Sequence, residues 1–187
     1  MRSEPQSQRG IRTSRLGLIF TALSALLISG CMGHPDSLRP VKDFDINRYL
    51  GRWYEIARLD HSFERGLSRV SADYQMREDG GVAVINRGYS EEKKKWSEAT
   101  GKAYFVNSPD EAYLKVSFFG PFYGSYVIFE LDQKDYDYAF VSGANTSYLW
   151  LLSRTPVVSD ELKNRFIETA ESRGFAVDDL IWVNQQP

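Results

Sequence analysis

Few side chains in this sequence are equipped to do chemistry. It has one cysteine, Cys31, and two histidines, His34 and His61. A Ser–His–acid arrangement needs a serine poised beside the histidine and an acid to orient the ring. Ser62 and Ser68 are near His61 in sequence, and nothing in the pattern marks either as a nucleophile. No His, Cys, Asp and Glu residues have metal-ligand spacing, so the expectation is no catalytic residue, no metal and no cofactor. Glu55, in an apolar run, is a candidate buried acid that would satisfy an arginine or a backbone donor. The strongest chemical context belongs to Cys31, which closes the run Leu27-Ile28-Ser29-Gly30-Cys31.

Ahead of that cysteine lie Arg9, Arg12 and Arg15, then an apolar stretch from Leu16 to Ile28. A positive n-region, a short apolar core and small residues at the cut describe a secretory leader over 1–30. The stretch is too short to span a bilayer, which takes roughly 20 residues. Small residues before a cysteine resemble the lipobox of bacterial lipoproteins, in which that cysteine is acylated and becomes the new N-terminus. Met32 stands where an aspartate would signal retention at the inner membrane, so the resemblance implies the outer membrane of a Gram-negative cell, with the domain facing the periplasm.

The leader carries +3, and removing it from the whole-chain −2 leaves −5 for the mature part. An acidic domain without a basic block is a poor nucleic-acid binder. With Cys31 taken by lipid, no disulfide can form within the chain, and about 155 residues must be held by packing alone. Residues 31–42 include two prolines and a glycine without periodicity, and read as a lipid-anchored spacer. An ordered arm lying on the domain is the alternative.

From residue 43 to 187 the chain reads as one domain. Val70, Ala72, Tyr74 and Met76 alternate with polar residues, a strand pattern ended by Asp79-Gly80-Gly81. Similar runs cover 52–60, 82–89, 96–106, 112–119, 125–131, 136–142 and 148–154. Eight evenly spaced strands suggest a sandwich or an up-and-down barrel. The period then changes. Ser159 is a candidate N-cap, and Leu162, Phe166, Ile167 and Ala170 fall on one helical face before Gly174. That helix should pack outside the sheet, and Leu180–Val183 should add an edge strand.

Closure of the sheet makes a prediction. In an up-and-down barrel, loops 61–67, 91–95, 120–124 and 144–147 share one end. Strand eight finishes with Arg154 at the other, beside the Gly51-Arg52-Trp53 that opens strand one. Trp53 and Arg154 should meet there as a cation–π pair, on the order of 1–2 kcal/mol.

Tyr49-Leu50-Gly51-Arg52-Trp53-Tyr54-Glu55 resembles the Gly-x-Trp signature of the lipocalins. The segment from Leu131-Asp132 to Tyr136 stands in place of their second motif, and Leu151-Leu152-Ser153-Arg154 in place of the third. The second reads Asp-x-x-x-Tyr, a departure from the Thr-Asp-Tyr common in animal members. Gly51–Arg58, Phe118–Gly124 and Leu152–Pro156 are more particularly similar to the bacterial lipocalins. The resemblance implies an all-β fold: an eight-stranded antiparallel up-and-down barrel, with one α-helix packed outside and a short C-terminal strand. It implies small hydrophobic ligands, and for bacterial members fatty acids and lysophospholipids.

Physics favours single-chain lipids among these. A chain of 16 carbons gains roughly 12 kcal/mol on leaving water at ~0.8 kcal/mol per methylene, and one chain leaves a bilayer readily. On strand eight Tyr148, Trp150 and Leu152 share the parity of Arg154 and should point inward, with Trp150 the best contact for an acyl chain. Tyr74, Ala72 and Phe105 are weaker candidates. Phe118, Phe119, Phe122 and Tyr123 gather round Gly120 and Gly124, where a turn is normally polar. Such a tip would contact lipid, a partner or the ligand itself, or else fold on itself, and Phe122 and Tyr123 join the ligand-contact set. Arg65 and Lys93 to Lys95 share that end and would suit a phosphate or simply solvent. The alternatives are a structural envelope lipoprotein with a filled barrel, or a lipid-modifying enzyme.

Overall fold

The computed structural model describes residues 33–186. The leader and Cys31 lie outside the described residues. Eight strands run β1 (Gly51–Arg58), β2 (Leu67–Met76), β3 (Val82–Ser90), β4 (Lys95–Phe105), β5 (Tyr113–Phe119), β6 (Phe122–Leu131), β7 (Tyr138–Ser142) and β8 (Leu149–Ser153). Each pairs antiparallel with the next, and β8 returns to β1 through Tyr54↔Ser153 and Glu55↔Leu152. The sheet is therefore a closed barrel, in which each strand alternates one side chain inward and one outward.

Two apolar layers result. Trp53, Tyr74, Val84, Ala103, Ile128 and Leu152 belong to the inner one. Phe140, Leu149 and Leu151 point outward and are covered by α2 (Asp160–Ser172). Ser159 caps this helix by accepting from the Leu162 N–H, and Phe166 meets Phe140 edge-on at 4.9 Å. Phe166 and Ala170 are fully buried. A buried phenylalanine contributes about 1.5–3 kcal/mol, which fixes the helix on the barrel.

The C-terminal run forms β9 (Ile181–Trp182), paired with Ala57 and Arg58 on the edge of β1 that β2 no longer covers. Arg69 N–H donates to the Asn184 carbonyl at 2.7 Å. The Gln185 side-chain amide donates to the carbonyls of Glu55 (2.6 Å) and Val70 (2.9 Å). The tail thus joins β1 to β2 where the two diverge.

The segment read as a free spacer differs from that expectation from Gly33 onward. Leu38, 1 % exposed, packs in the layer beneath α2. Ser37 donates to the Arg173 carbonyl at the helix end (2.9 Å), and Arg173 donates back to the Ser37 carbonyl (2.9 Å). Val41 N–H donates to the Ile128 carbonyl, while its own carbonyl accepts from Ala112. The prolines that suggested an unattached linker instead hold an extended arm on the barrel. The arm leads into a short helix, α1 (Ile46–Tyr49), which crosses one end of the barrel.

Candidate functional site

The end bearing α1 is sealed. Trp53 is 0 % exposed, and its indole N–H donates to the Tyr49 carbonyl at 2.7 Å. The Arg154 guanidinium carbon sits 4.0 Å from the indole ring centroid. Its N–H groups donate to the carbonyls of Leu50 (2.9 Å), Arg52 (2.9 Å), Arg48 (2.6 Å) and Tyr136 (3.2 Å). One cation therefore serves the carbonyls where α1 ends and β1 begins. Gly51 takes a positive φ of 88° there, a conformation open to glycine at little cost. Tyr49 stacks on Trp53 at 4.6 Å, and Phe44 leans on Phe105 and Tyr136.

Above this floor the barrel is hollow, with a cavity of about 720 Å³. That is within the roughly 300–1,000 Å³ of small-molecule sites. Val82, Val84, Ala103, Leu114 and Val116 line its lower part. Tyr126 accepts or donates to the hydroxyls of Tyr49 (2.7 Å) and Tyr74 (2.8 Å). Burial pushes all three phenols up from their ordinary pKa, so they remain neutral.

Of the candidate contacts, Tyr148, Trp150, Leu152, Tyr74, Ala72, Phe122 and Tyr123 all line the cavity. Phe105 does not. It lies on the inward parity of β4, but at a depth already filled by Phe44, so it is part of the floor. Neither Ser62 nor Ser68 is bonded to His61. Ser68 Oγ donates to Glu91 at 2.8 Å, and His61 lies among the rings of Phe63, Tyr148 and Trp150 at 4.7–5.3 Å.

A buried polar cluster sits in the upper wall. Arg58 donates to Glu55 Oε1 at 2.6 Å and to the Glu64 carbonyl at 2.9 Å, while Trp150 Nε1 donates to Glu64 Oε2 at 3.1 Å. Glu55 and Glu64 both line the cavity. Burial pushes both carboxyls up, with Arg58 opposing. Burial, with Arg58 adding to it, lowers His61 to about 4. Glu55 was the expected buried acid; Glu64 and Arg58 were not foreseen. Glu55 and Arg58 are three apart and should face opposite sides of a strand. The register of β1 against β8 shifts between Glu55 and Ala57, and this bulge turns the two side chains to meet.

The far end is open and apolar. Phe119 is 81 % exposed, Phe122 72 % and Phe63 61 %, and all three border the cavity.

Fold and site together define a ligand-binding β-barrel sealed at one end. A family model for the lipocalin-like domain matches residues 44–185, and the chain belongs to the lipocalin family. The outer membrane lipoprotein Blc of Vibrio cholerae is 64% identical over 168 residues, spanning 90% of this chain and 98% of that protein. The protein of the same name from Escherichia coli is 49% identical over 172 residues, with 91% and 97% covered. Among solved structures, insecticyanin of the tobacco hornworm Manduca sexta matches with a TM-score of 0.64 at 20% identity, covering 81% of this chain and 86% of that one. Lobster apocrustacyanin A1 matches at 0.61 and 18%, covering 82% and 93%. These two show the fold alone. A lipocalin cavity of this kind suits small hydrophobic ligands.

Proposed function

We propose that the protein is an outer-membrane lipoprotein, anchored through acylated Cys31, that binds and carries single-chain lipids such as lysophospholipids or fatty acids in the cell envelope. The observation that carries this reading is the hollow, mostly apolar cavity with one open, aromatic-rimmed end. A filled barrel would have no such space, which supports the carrier reading over the purely structural alternative. The names of the Vibrio cholerae and Escherichia coli relatives agree with the anchor and the membrane.

An acyl chain would lie along Val82, Val84, Leu114 and Val116, and Trp150 would touch it higher up. Tail-first entry leaves the polar end near Glu64 and the mouth, where water reaches it. Binding without turnover is the chemistry proposed. His61 is walled by rings, and Glu55 and Glu64 are engaged by Arg58 and Trp150.

The test is titration of delipidated protein with a lysophospholipid, read by tryptophan fluorescence and native mass spectrometry. Quenching that saturates at one lipid per protein, with the lipid recovered intact, is the expected result. A flat titration would end the carrier reading, and cleaved lipid would make the protein an enzyme.

A further inference from the structure

We propose that the protein rests mouth-down on its membrane, with the rim of Phe63, Phe119 and Phe122 in the lipid surface that holds the Cys31 anchor. A lipid would then pass between bilayer and cavity without crossing water. The inference rests on the anchored-lipoprotein reading and adds an orientation to it.

The path of the N-terminal arm carries the argument. Gly33 N–H donates to Ser125 Oγ at 3.1 Å, and the His34 ring stands edge-on to Tyr113 at 5.5 Å. Ser125 is three residues from Phe122, the first residue of β6 after the mouth turn. Gly33 is therefore about 10 Å down the strand from the rim. From there the arm descends to the floor, through Val41 against Ile128 and Phe44 against Asp110. The anchored end of the arm is thus its mouth-ward end.

Cys31 precedes Gly33 by two residues, and two residues span at most about 7 Å. Acyl chains on Cys31 must insert, so that cysteine is held at headgroup level. The floor loop after Leu131 begins six residues beyond Ser125, roughly 20 Å further along β6. A two-residue tether cannot bring that floor to the membrane, but it can bring the mouth.

Surface chemistry points the same way. Five of the nine exposed large apolar side chains among the described residues (Phe63, Trp96, Phe119, Phe122 and Tyr148) lie on mouth loops or the strand ends beside them. Aromatic rings are suited to the bilayer interface, apolar on their faces and tolerant of water at their edges. Floor loops 77–81, 107–111 and 132–137 hold seven acidic side chains against two basic ones. Mouth segments 60–65 and 91–95 hold four basic side chains against three acidic ones besides the buried Glu64. An anionic lipid surface repels the floor and tolerates the mouth.

The acylated full-length protein tests this in vesicles of phosphatidylethanolamine and phosphatidylglycerol. Because Cys31 is blocked by lipid, Phe119→Cys, Lys115→Cys and Lys134→Cys each give one free thiol for a fluorophore. A nitroxide-bearing phospholipid then serves as quencher. Quenching at position 119 should be at least threefold stronger than at 134, on a floor loop. Equal quenching at 119 and 134, or stronger quenching at 134, would overturn the orientation. Strongest quenching at 115 would also overturn it, by showing a barrel lying on its β5–β6 flank. Protein that stays off the vesicles, with an unmodified Cys31 by mass, would instead remove the anchored reading itself.

Discussion

The two ends of the barrel handle polar groups in opposite ways. At the floor Arg154 donates to four carbonyls and covers the indole of Trp53, so the charge is matched by backbone dipoles on several sides. Near the mouth, Arg58 Nε and His61 Nε2 are buried without a hydrogen-bond partner among the described residues, and phenylalanines face outward. Unmatched polar atoms in an apolar wall carry a free-energy cost. The contrast places matched charge at the floor and unmatched polar atoms beside the open end.

The largest expected effect is at the floor. Arg154→Ala removes the cation–π pair and strips charged donors from the carbonyls that close the barrel. Its loss in denaturant unfolding should be on the order of 3 kcal/mol. A loss under 1 kcal/mol would show that closure does not depend on this residue.

Next is the upper wall. Trp150→Ala should weaken lysophospholipid binding about tenfold, equivalent to about 1.4 kcal/mol. Trp96→Ala, in a ring that packs on Tyr89 outside the barrel lumen, should change it far less. Equal effects would remove the assignment of Trp150 to the ligand.

A smaller effect separates the ends by pH. The folded state holds His61 at about 4 against an ordinary value of 6.5, so the unfolded chain binds the extra proton between those limits. Wild-type stability from this group therefore rises as pH increases from about 4 to 6.5 and is flat above. The raised carboxyls of Glu55 and Glu64 act with the opposite sign, their contribution being present at low pH and lost as pH rises through their folded values. Comparing wild type with His61→Phe isolates the histidine. The variant's stability relative to wild type should fall across pH 4–6.5, and a constant difference would refute the assignment.

The smallest effect should be Lys94→Ala at the mouth. Its ion pair with Glu91 at 3.4 Å is exposed and screened by water, so denaturant unfolding should show no resolvable change, and a clear loss of stability would show that the pair holds the turn.

Strand alternation carried most of the fold. The parity of Tyr148, Trp150 and Leu152 was legible because inward and outward positions alternate strictly along a regular strand, and β8 has no bulge against β7. Parity failed where depth or irregularity intervened. Phe105 has the inward parity and still misses the cavity, because Phe44, brought in by the arm, fills that level. The meeting of Glu55 with Arg58 depends on one bulge in β1, a local event with no periodic trace.

The sequence by itself determined the number of strands, the closing pair of Trp53 and Arg154, and the lipobox-like context of Cys31, since each follows from local pattern or chain order. The tertiary structure alone decided the course of residues 33–42, the buried cluster around Arg58, and the depth at which the interior stops being empty. Those depend on which surfaces distant segments bury against one another, a three-dimensional packing result that no one-dimensional spacing encodes.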